Sequence, residues 1–274
     1  MPELPEVETI RCQVEDRLVG QRIKKVWLRK SSLVFRDFKG KNRLPKTIEG
    51  KKVNAVKRRG KYLLIELEGG LTLMIHLGMS GNLIVSEGAG GRDRHCHLEI
   101  FFKDFRMTLR DPRMFGRVAL FKNRDFSSLP GLDALGPEPL SKDFNAEWLS
   151  RKFKGRKAPV KALLLDQKIG AGIGNIYSDE ACHVSRISPL RPAGKIKKEE
   201  IEKLSKAVKK VLNRAIEDMG CTIRDYKTSE GVGGDYQPLV YGRRGQRCLR
   251  CGGTIIRARV GSRSSFYCPE CQEY

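Results

Sequence analysis

The spacing of apolar residues changes twice along this chain. Near the start, Val7, Ile10, Val14 and Leu18 recur every three or four positions, Pro5 suits a first helical turn and Gly20 can end it, so residues 5–19 read as a helix. Short apolar or alternating runs follow at 23–28, 52–57, 62–67, 71–77, 97–102, 107–110 and 118–121, separated by Gly, Asp or basic turns. Many short strands at this spacing predict an antiparallel sandwich or barrel. The pattern shifts near residue 125, where Pro130, Gly131, Gly136, Pro137 and Pro139 mark a linker. Beyond it the helical period returns over 145–153, 160–166 and 176–184. It is clearest at Ile201, Leu204, Val208, Val211, Leu212, Ala215 and Met219, with Gly220 as the stop. A polar, glycine-containing stretch from 220 to 234 leads into a cysteine-rich end. The outline is α+β and multidomain: a β-rich first part, a helical second part and an appended hairpin.

Composition narrows what such a fold could do. The 274 residues carry 54 Lys and Arg against 32 Asp and Glu, a formal charge of +22. An excess of that size points to a polyanionic partner, most often nucleic acid. The acids are unevenly placed, for Glu3, Glu6 and Glu8 all lie at the extreme N-terminus. No long apolar run suggests a membrane span, and the acidic N-terminus lacks the apolar core of a secretory signal, so a cytoplasmic protein is the default. The lysine-rich helix at 201–219 has no aromatic anchor for a membrane surface.

Four of the eight cysteines, Cys248, Cys251, Cys268 and Cys271, form a C-x2-C-x16-C-x2-C pattern. Two CxxC turns offer four thiolates, which complete a closed tetrahedral shell for one zinc ion. A redox dithiol would need only one of the pairs. A closed shell leaves no open position, so this zinc is structural, and it stiffens a hairpin at 254–260 and 264–267 that projects Arg257, Arg259 and Arg263. A second motif, Gly170, Gly172 and Gly174, fails as a dinucleotide fingerprint, because a helix rather than a strand precedes it. It reads instead as two tight turns between helices. Asn175 falls at the expected N-cap, where free backbone N–H groups attract an anion such as a DNA phosphate.

PELPEVETI at the start, HLGMSG at 76–81 with DPRMFG at 111–116, the GAGIGNIY turn between helices and the zinc hairpin occur together and in this order. In this the chain resembles the bacterial formamidopyrimidine-DNA glycosylases, bifunctional base-excision repair enzymes, over nearly its whole length. The related endonuclease VIII group starts PEGPE, so Leu4 favours the oxidised-purine branch. The resemblance implies an N-terminal β-sandwich with its leading helix (1–128), a helix–two-turns–helix domain (129–236) and a zinc finger (237–274).

It also implies roles for particular residues. Met before Pro is readily removed, leaving Pro2 with a free secondary amine. An α-amino group titrates near about 7.7–8.0, far below lysine at about 10.4, so it can attack a sugar C1′ at neutral pH. The resulting iminium stays cationic and acts as the electron sink. Glu3 is then the general acid/base, and Glu6 orients the N-terminus. Lys61 is a proton donor in β-elimination that also meets DNA, and Arg263 clamps a phosphate and assists δ-elimination. Met79, Arg113 and Phe115 fill the hole left by the extruded nucleotide, while His76, His95, Arg156, Lys161 and Asn175 contact the backbone. Met114 stands where the family usually has a basic residue. The segment 220–234 closes over the extruded base. The implied partner is double-stranded DNA containing a damaged base, met by a monomer at the bacterial nucleoid. Two rivals stay open: the same chemistry on oxidised pyrimidines, and a non-enzymatic zinc-ribbon protein that binds DNA or RNA.

Overall fold

The structure, a computed structural model, describes residues 1–36, 40–88, 91–123, 125, 130–223, 226–272 and 274. The chain divides into two compact units. Unit 1 comprises Met1–Asp133 and Asp218–Asp235; unit 2 comprises Ala134–Glu217 and Tyr236–Tyr274.

Unit 1 begins with helix α1 (Leu4–Leu18), followed by β1 (Lys25–Leu28) and a short helix α2 (Leu44–Ile48). Seven more strands follow: β2 (Val53–Arg59), β3 (Tyr62–Leu67), β4 (Leu71–His76), β5 (Asn82–Glu87), β6 (Cys96–Phe101), β7 (Phe105–Arg110) and β8 (Arg117–Lys122), with a single-turn α3 (Pro130–Asp133) at the end. They pair antiparallel in two sheets, ordered β2-β3-β4-β8 and β1-β6-β7-β5. Val56, Leu63, Ile65, Leu73, Ile75 and Val118 of the first sheet share one core with Val26, Leu83, Leu98, Ile100, Met107 and Leu109 of the second. Ile10, Val14 and Leu18 of α1 complete it. The expected sandwich is therefore present, with its leading helix one residue earlier than the pattern suggests. β5 was not expected: its apolar run, Leu83 to Val85, is short, and its partner β7 is distant in sequence, so no hairpin signal accompanies it. The tightest connection is the two-residue turn Gly60–Lys61 between β2 and β3, where Gly60 adopts φ +55° as such a turn requires.

Unit 2 contains α4 (Ala146–Phe153), α5 (Val160–Leu165), α6 (Asn175–Ser185), α7 (Lys198–Glu217) and the hairpin β9 (Ile256–Val260) and β10 (Arg263–Tyr267). Asn145 caps α4, its Oδ1 accepting the Trp148 N–H at 2.9 Å. α7 is the amphipathic helix read from the sequence, and it packs on α4 and α6. Gln167 holds the glycine turns between α5 and α6. Its amide donates to Ile173 O at 2.8 Å, and its oxygen accepts the Gly172 N–H at 2.8 Å.

Two features differ from the three-part division at 128 and 236. The stretch 220–234, grouped with the helices by sequence, packs in unit 1, where the Ser229 N–H and hydroxyl donate to Gln13 Oε1 at 3.0 and 2.9 Å. Residues 224 and 225 of that stretch, and the boundary at 128–129, lie outside the described residues. The cysteine hairpin packs within unit 2. Among the described residues no helix is long and apolar enough to cross a membrane.

Candidate active site

The N-terminus of α1 is built around two carboxylates. Pro2 is buried and Glu3 is 3% exposed, while Met1 is 46% exposed. Glu3 and Glu6 form a capping box, in which Glu6 Oε2 accepts the Glu3 N–H at 2.7 Å and the Glu3 carboxylate accepts the backbone N–H of Glu6. The second Glu6 oxygen accepts the Cys221 N–H at 2.9 Å. A carboxylate as buried as Glu6 is tolerated because both oxygens hold donors at the positive end of a helix. Gly220, at φ +87°, makes this approach possible: a Cβ there would stand 2.9 Å from Glu6 Cγ. Burial, and then the Glu6 charge, push the neighbouring Tyr226 phenol up.

Lys61 sits at the tip of the β2–β3 turn yet is only 8% exposed. The next residue, Tyr62, pairs with His76 across the sheet, ring centroids 4.8 Å apart. Burial, followed by the charges of Lys61, Arg117 and Arg36, lowers the His76 pKa from 6.5 to about 4. The ring is therefore neutral at pH 7. Its Nδ1 accepts the Gly78 N–H at 3.1 Å, which leaves the proton on Nε2.

The loops bearing Met79 and Phe115 touch. Gly78, at φ +63°, approaches so closely that a Cβ would lie 2.5 Å from the Phe115 carbonyl carbon. Met79 and Phe115 are 39% and 47% exposed, large apolar side chains facing solvent, and the Arg113 guanidinium stacks 4.8 Å from the Phe115 ring centroid. Asp111, fully buried, ties the loops together. It accepts from the Ser80 hydroxyl at 2.6 Å and from the Gly116 N–H at 2.7 Å, and its own N–H donates to the His95 carbonyl at 2.9 Å. Arg36 adds hydrogen bonds to the carbonyls of Met114, Phe115 and Gly116 at 3.1–3.3 Å. Met114 takes a left-handed φ of +53° and packs on the core. Sequence reasoning missed Asp111 and Arg36. An Asp before Pro at a loop start is a turn signal that could have found the first; Arg36 left no local signal.

In unit 2 two expectations need correction. Asn175 is the first residue of α6, and Gly174 is the N-cap. The glycine's extended backbone takes the cap position, and the Asn175 amide donates to Tyr241 Oη at 3.1 Å. Lys161 is fully buried, its ammonium donating to Asp179 Oδ1 and to Ser264 O, both at 2.8 Å. It is an internal strut, because no phosphate can reach a side chain with no exposed surface. Asp179 also accepts the Ser265 hydroxyl at 2.6 Å and the Phe266 N–H at 2.9 Å, while Glu180 accepts the N–H groups of Leu239, Val240 and Tyr241 at 2.7–2.9 Å. α6 therefore carries the hairpin and its lead-in segment. Arg156 and Arg263 are exposed, Arg263 as the first residue of β10.

The four hairpin cysteines gather their Sγ atoms within 4.8 Å of one another. Cys248 and Cys271 are 3.7 Å apart, and Cys251 and Cys268 are 3.5 Å apart. Four thiolates at about 2.3 Å from zinc would stand about 3.8 Å apart at tetrahedral corners, so this set fits a structural zinc.

Three family models cover most of the chain: the formamidopyrimidine-DNA glycosylase N-terminal domain at 1–118, its H2TH domain at 135–227, and the zinc finger found in FPG and IleRS at 245–273. The formamidopyrimidine-DNA glycosylase of Pelotomaculum thermopropionicum is 41% identical, over 100% of this chain and 99% of its own. That of Neisseria meningitidis is also 41% identical, over the full length of both. The crystal structure of the MutM (Fpg) protein from Thermus thermophilus matches with TM-score 0.88 and 38% identity, covering 99% of this chain and 98% of that one. A complex of Lactococcus lactis Fpg with abasic-site DNA matches with TM-score 0.91 and 33% identity, over 99% and 100% of the two chains. With domains, site geometry and full-length relatives in agreement, this chain belongs to the formamidopyrimidine-DNA glycosylase family.

Proposed function

We propose that the chain is a base-excision glycosylase and AP lyase acting on oxidised purines, chiefly 8-oxoguanine opposite cytosine and formamidopyrimidines. It acts as a monomer on duplex DNA at the cytoplasmic nucleoid. The observation that carries the reading is the buried, hydrogen-bonded Pro2–Glu3–Glu6 junction in a chain of net charge +22. Removal of exposed Met1 exposes the Pro2 nitrogen as a secondary amine. That nitrogen attacks C1′ of the damaged nucleotide, the C1′–base bond breaks, and the base leaves with a proton. Glu3 protonates the opening sugar oxygen and so yields an iminium. The Glu3 carboxylate, having given up its proton, takes one from C2′; the C–H electron pair flows toward the iminium and the 3′ phosphate leaves, protonated by Lys61. A second elimination, with loss of the C4′ proton, expels the 5′ phosphate beside Arg263.

The nucleotide must leave the stack for this chemistry, and the exposed Met79 and Phe115 with stacked Arg113 suit an insertion that fills the gap. Neutral His76, with His95, Arg156 and Asn175, offers hydrogen bonds to phosphates, which position without reading sequence. Cys248, Cys251, Cys268 and Cys271 would hold a zinc that supplies rigidity and no chemistry. Excision from matched duplexes tests the substrate: release of 8-oxoguanine should outpace release of thymine glycol, and the reverse order would move the chain to the oxidised-pyrimidine reading.

A further inference from the structure

A lysine at a two-residue hairpin tip is ordinarily solvated, because nothing packs over such a turn. Lys61 occupies that position and is buried, so something holds the turn against unit 1. The hydrogen bonds lead to Glu8, in the second turn of α1. Glu8 Oε2 accepts Arg58 Nε at 2.6 Å, and Arg58 Nη1 donates to the carbonyl of Gly60 at 3.0 Å. One planar guanidinium thus joins the α1 carboxylate to the peptide group that immediately precedes Lys61. Glu8 is itself held from the other side by Arg11 Nε at 2.8 Å, and Arg11 in turn bonds Glu15. The contact is largely sheltered, with the Arg58 and Glu8 side chains 9% and 19% exposed. Arg58 and Arg11 hold the Glu8 carboxylate below its ordinary range even though burial pushes the other way.

From this geometry we infer that Glu8 and Arg58 are positioning residues for Lys61. Helix α1 then carries the nucleophile and general acid at its start and sets the elimination lysine from its second turn. One element fixes the relative placement of three groups, and a displacement of Lys61 by about 1 Å is enough to slow proton transfer a hundredfold. Neither residue touches substrate in this account. The inference rests on the proposed role of Lys61 and adds to it.

The test uses Met1-processed, zinc-loaded protein and a duplex with one abasic site, under single turnover. Two quantities are read separately: the borohydride-trapped adduct, which reports amine attack, and strand cleavage, which reports elimination. E8Q should leave the adduct yield unchanged and slow cleavage by about ten- to a hundredfold. R58M, a second variant that removes the same clamp from its other end, should do the same. In a K61A background neither substitution should slow cleavage further. Cleavage at the wild-type rate in folded E8Q and R58M, with K61A slow, overturns the inference and spares the role of Lys61. Parallel loss of adduct and cleavage, multiplying with K61A, overturns it in favour of a merely structural ion pair. If K61A itself cleaves at the wild-type rate, the role of Lys61 fails, and the inference fails with it.

Discussion

The carboxylate of Glu6 accepts the backbone N–H of Cys221 at 2.9 Å, across 215 residues of sequence. Its other oxygen holds the Glu3 N–H. One buried side chain therefore fixes the backbone beside the proposed nucleophile and the stretch of chain that returns to unit 1. Glu6→Gln keeps one acceptor and leaves one of these two N–H groups facing an amide N–H, a loss of about 1–3 kcal/mol. Base excision should fall more steeply than DNA affinity, and single-turnover rates beside a binding isotherm separate the two. Equal losses in both would mean that Glu6 serves folding alone.

Glu3→Gln removes the proton donor but keeps the side chain's size and its ability to accept the Glu6 N–H of the capping box. The variant should bind damaged duplex nearly as the parent does and lose excision. Excision at the parental rate would take Glu3 out of the mechanism.

Two basic residues of unit 2 should part company. Arg156 is exposed, so Arg156→Ala should weaken DNA binding and lower the slope of log K against log salt by about 1. Lys161 is fully buried with Asp179, so Lys161→Ala strands a carboxylate and should cost about 3–5 kcal/mol of stability, leaving the salt slope of the folded fraction unchanged. Denaturant unfolding and a salt titration read the two outcomes.

His76 titrates from about 4 in the fold against 6.5 in the open chain. Between those values the unfolded chain binds more protons, so this residue makes stability fall as pH drops from 6.5 toward 4. Glu8, with its folded pKa below 4.5, stabilises fully above 4.5 and loses that contribution as pH falls further. The His76 ring resonances should stay unshifted from pH 8 to pH 5. A midpoint near 6.5 in that NMR titration would contradict the half-buried, neutral ring.

Chelation should act on unit 2. The hairpin has a small core, Val240, Cys248, Ile255 and Cys268, and hangs on α6 through Asp179, His183 and Gln272. Zinc removal should abolish DNA binding while the β-sheets of unit 1 keep their melting transition, followed by circular dichroism. Simultaneous loss of both would count against this modularity.

Much of this was legible in the sequence because local period and short motifs carry it. The amphipathic spacing of Val7 to Leu18 and of Ile201 to Ala215 sits on helices, and the CxxC pairs converge on one point. What stayed hidden depends on contacts distant in sequence. Lys161 looks like a surface cation until Asp179 and Ser264 enclose it, and Asn175 looks like a cap until Gly174 takes the extended conformation. The stretch 220–234 follows a helix in sequence but packs with α1, because Gln13, Glu6 and the edge strand β5 offer acceptors and donors that local pattern does not encode.

The central claim is that the Pro2 nitrogen attacks the sugar, and borohydride trapping on an abasic duplex tests it most directly. Met1-processed protein should give a covalent adduct whose cross-linked peptide begins at Pro2, and protein retaining Met1, whose Pro2 nitrogen is an amide, should give none. A cross-link mapped to a lysine such as Lys61, or an equal yield with Met1 in place, would contradict the account.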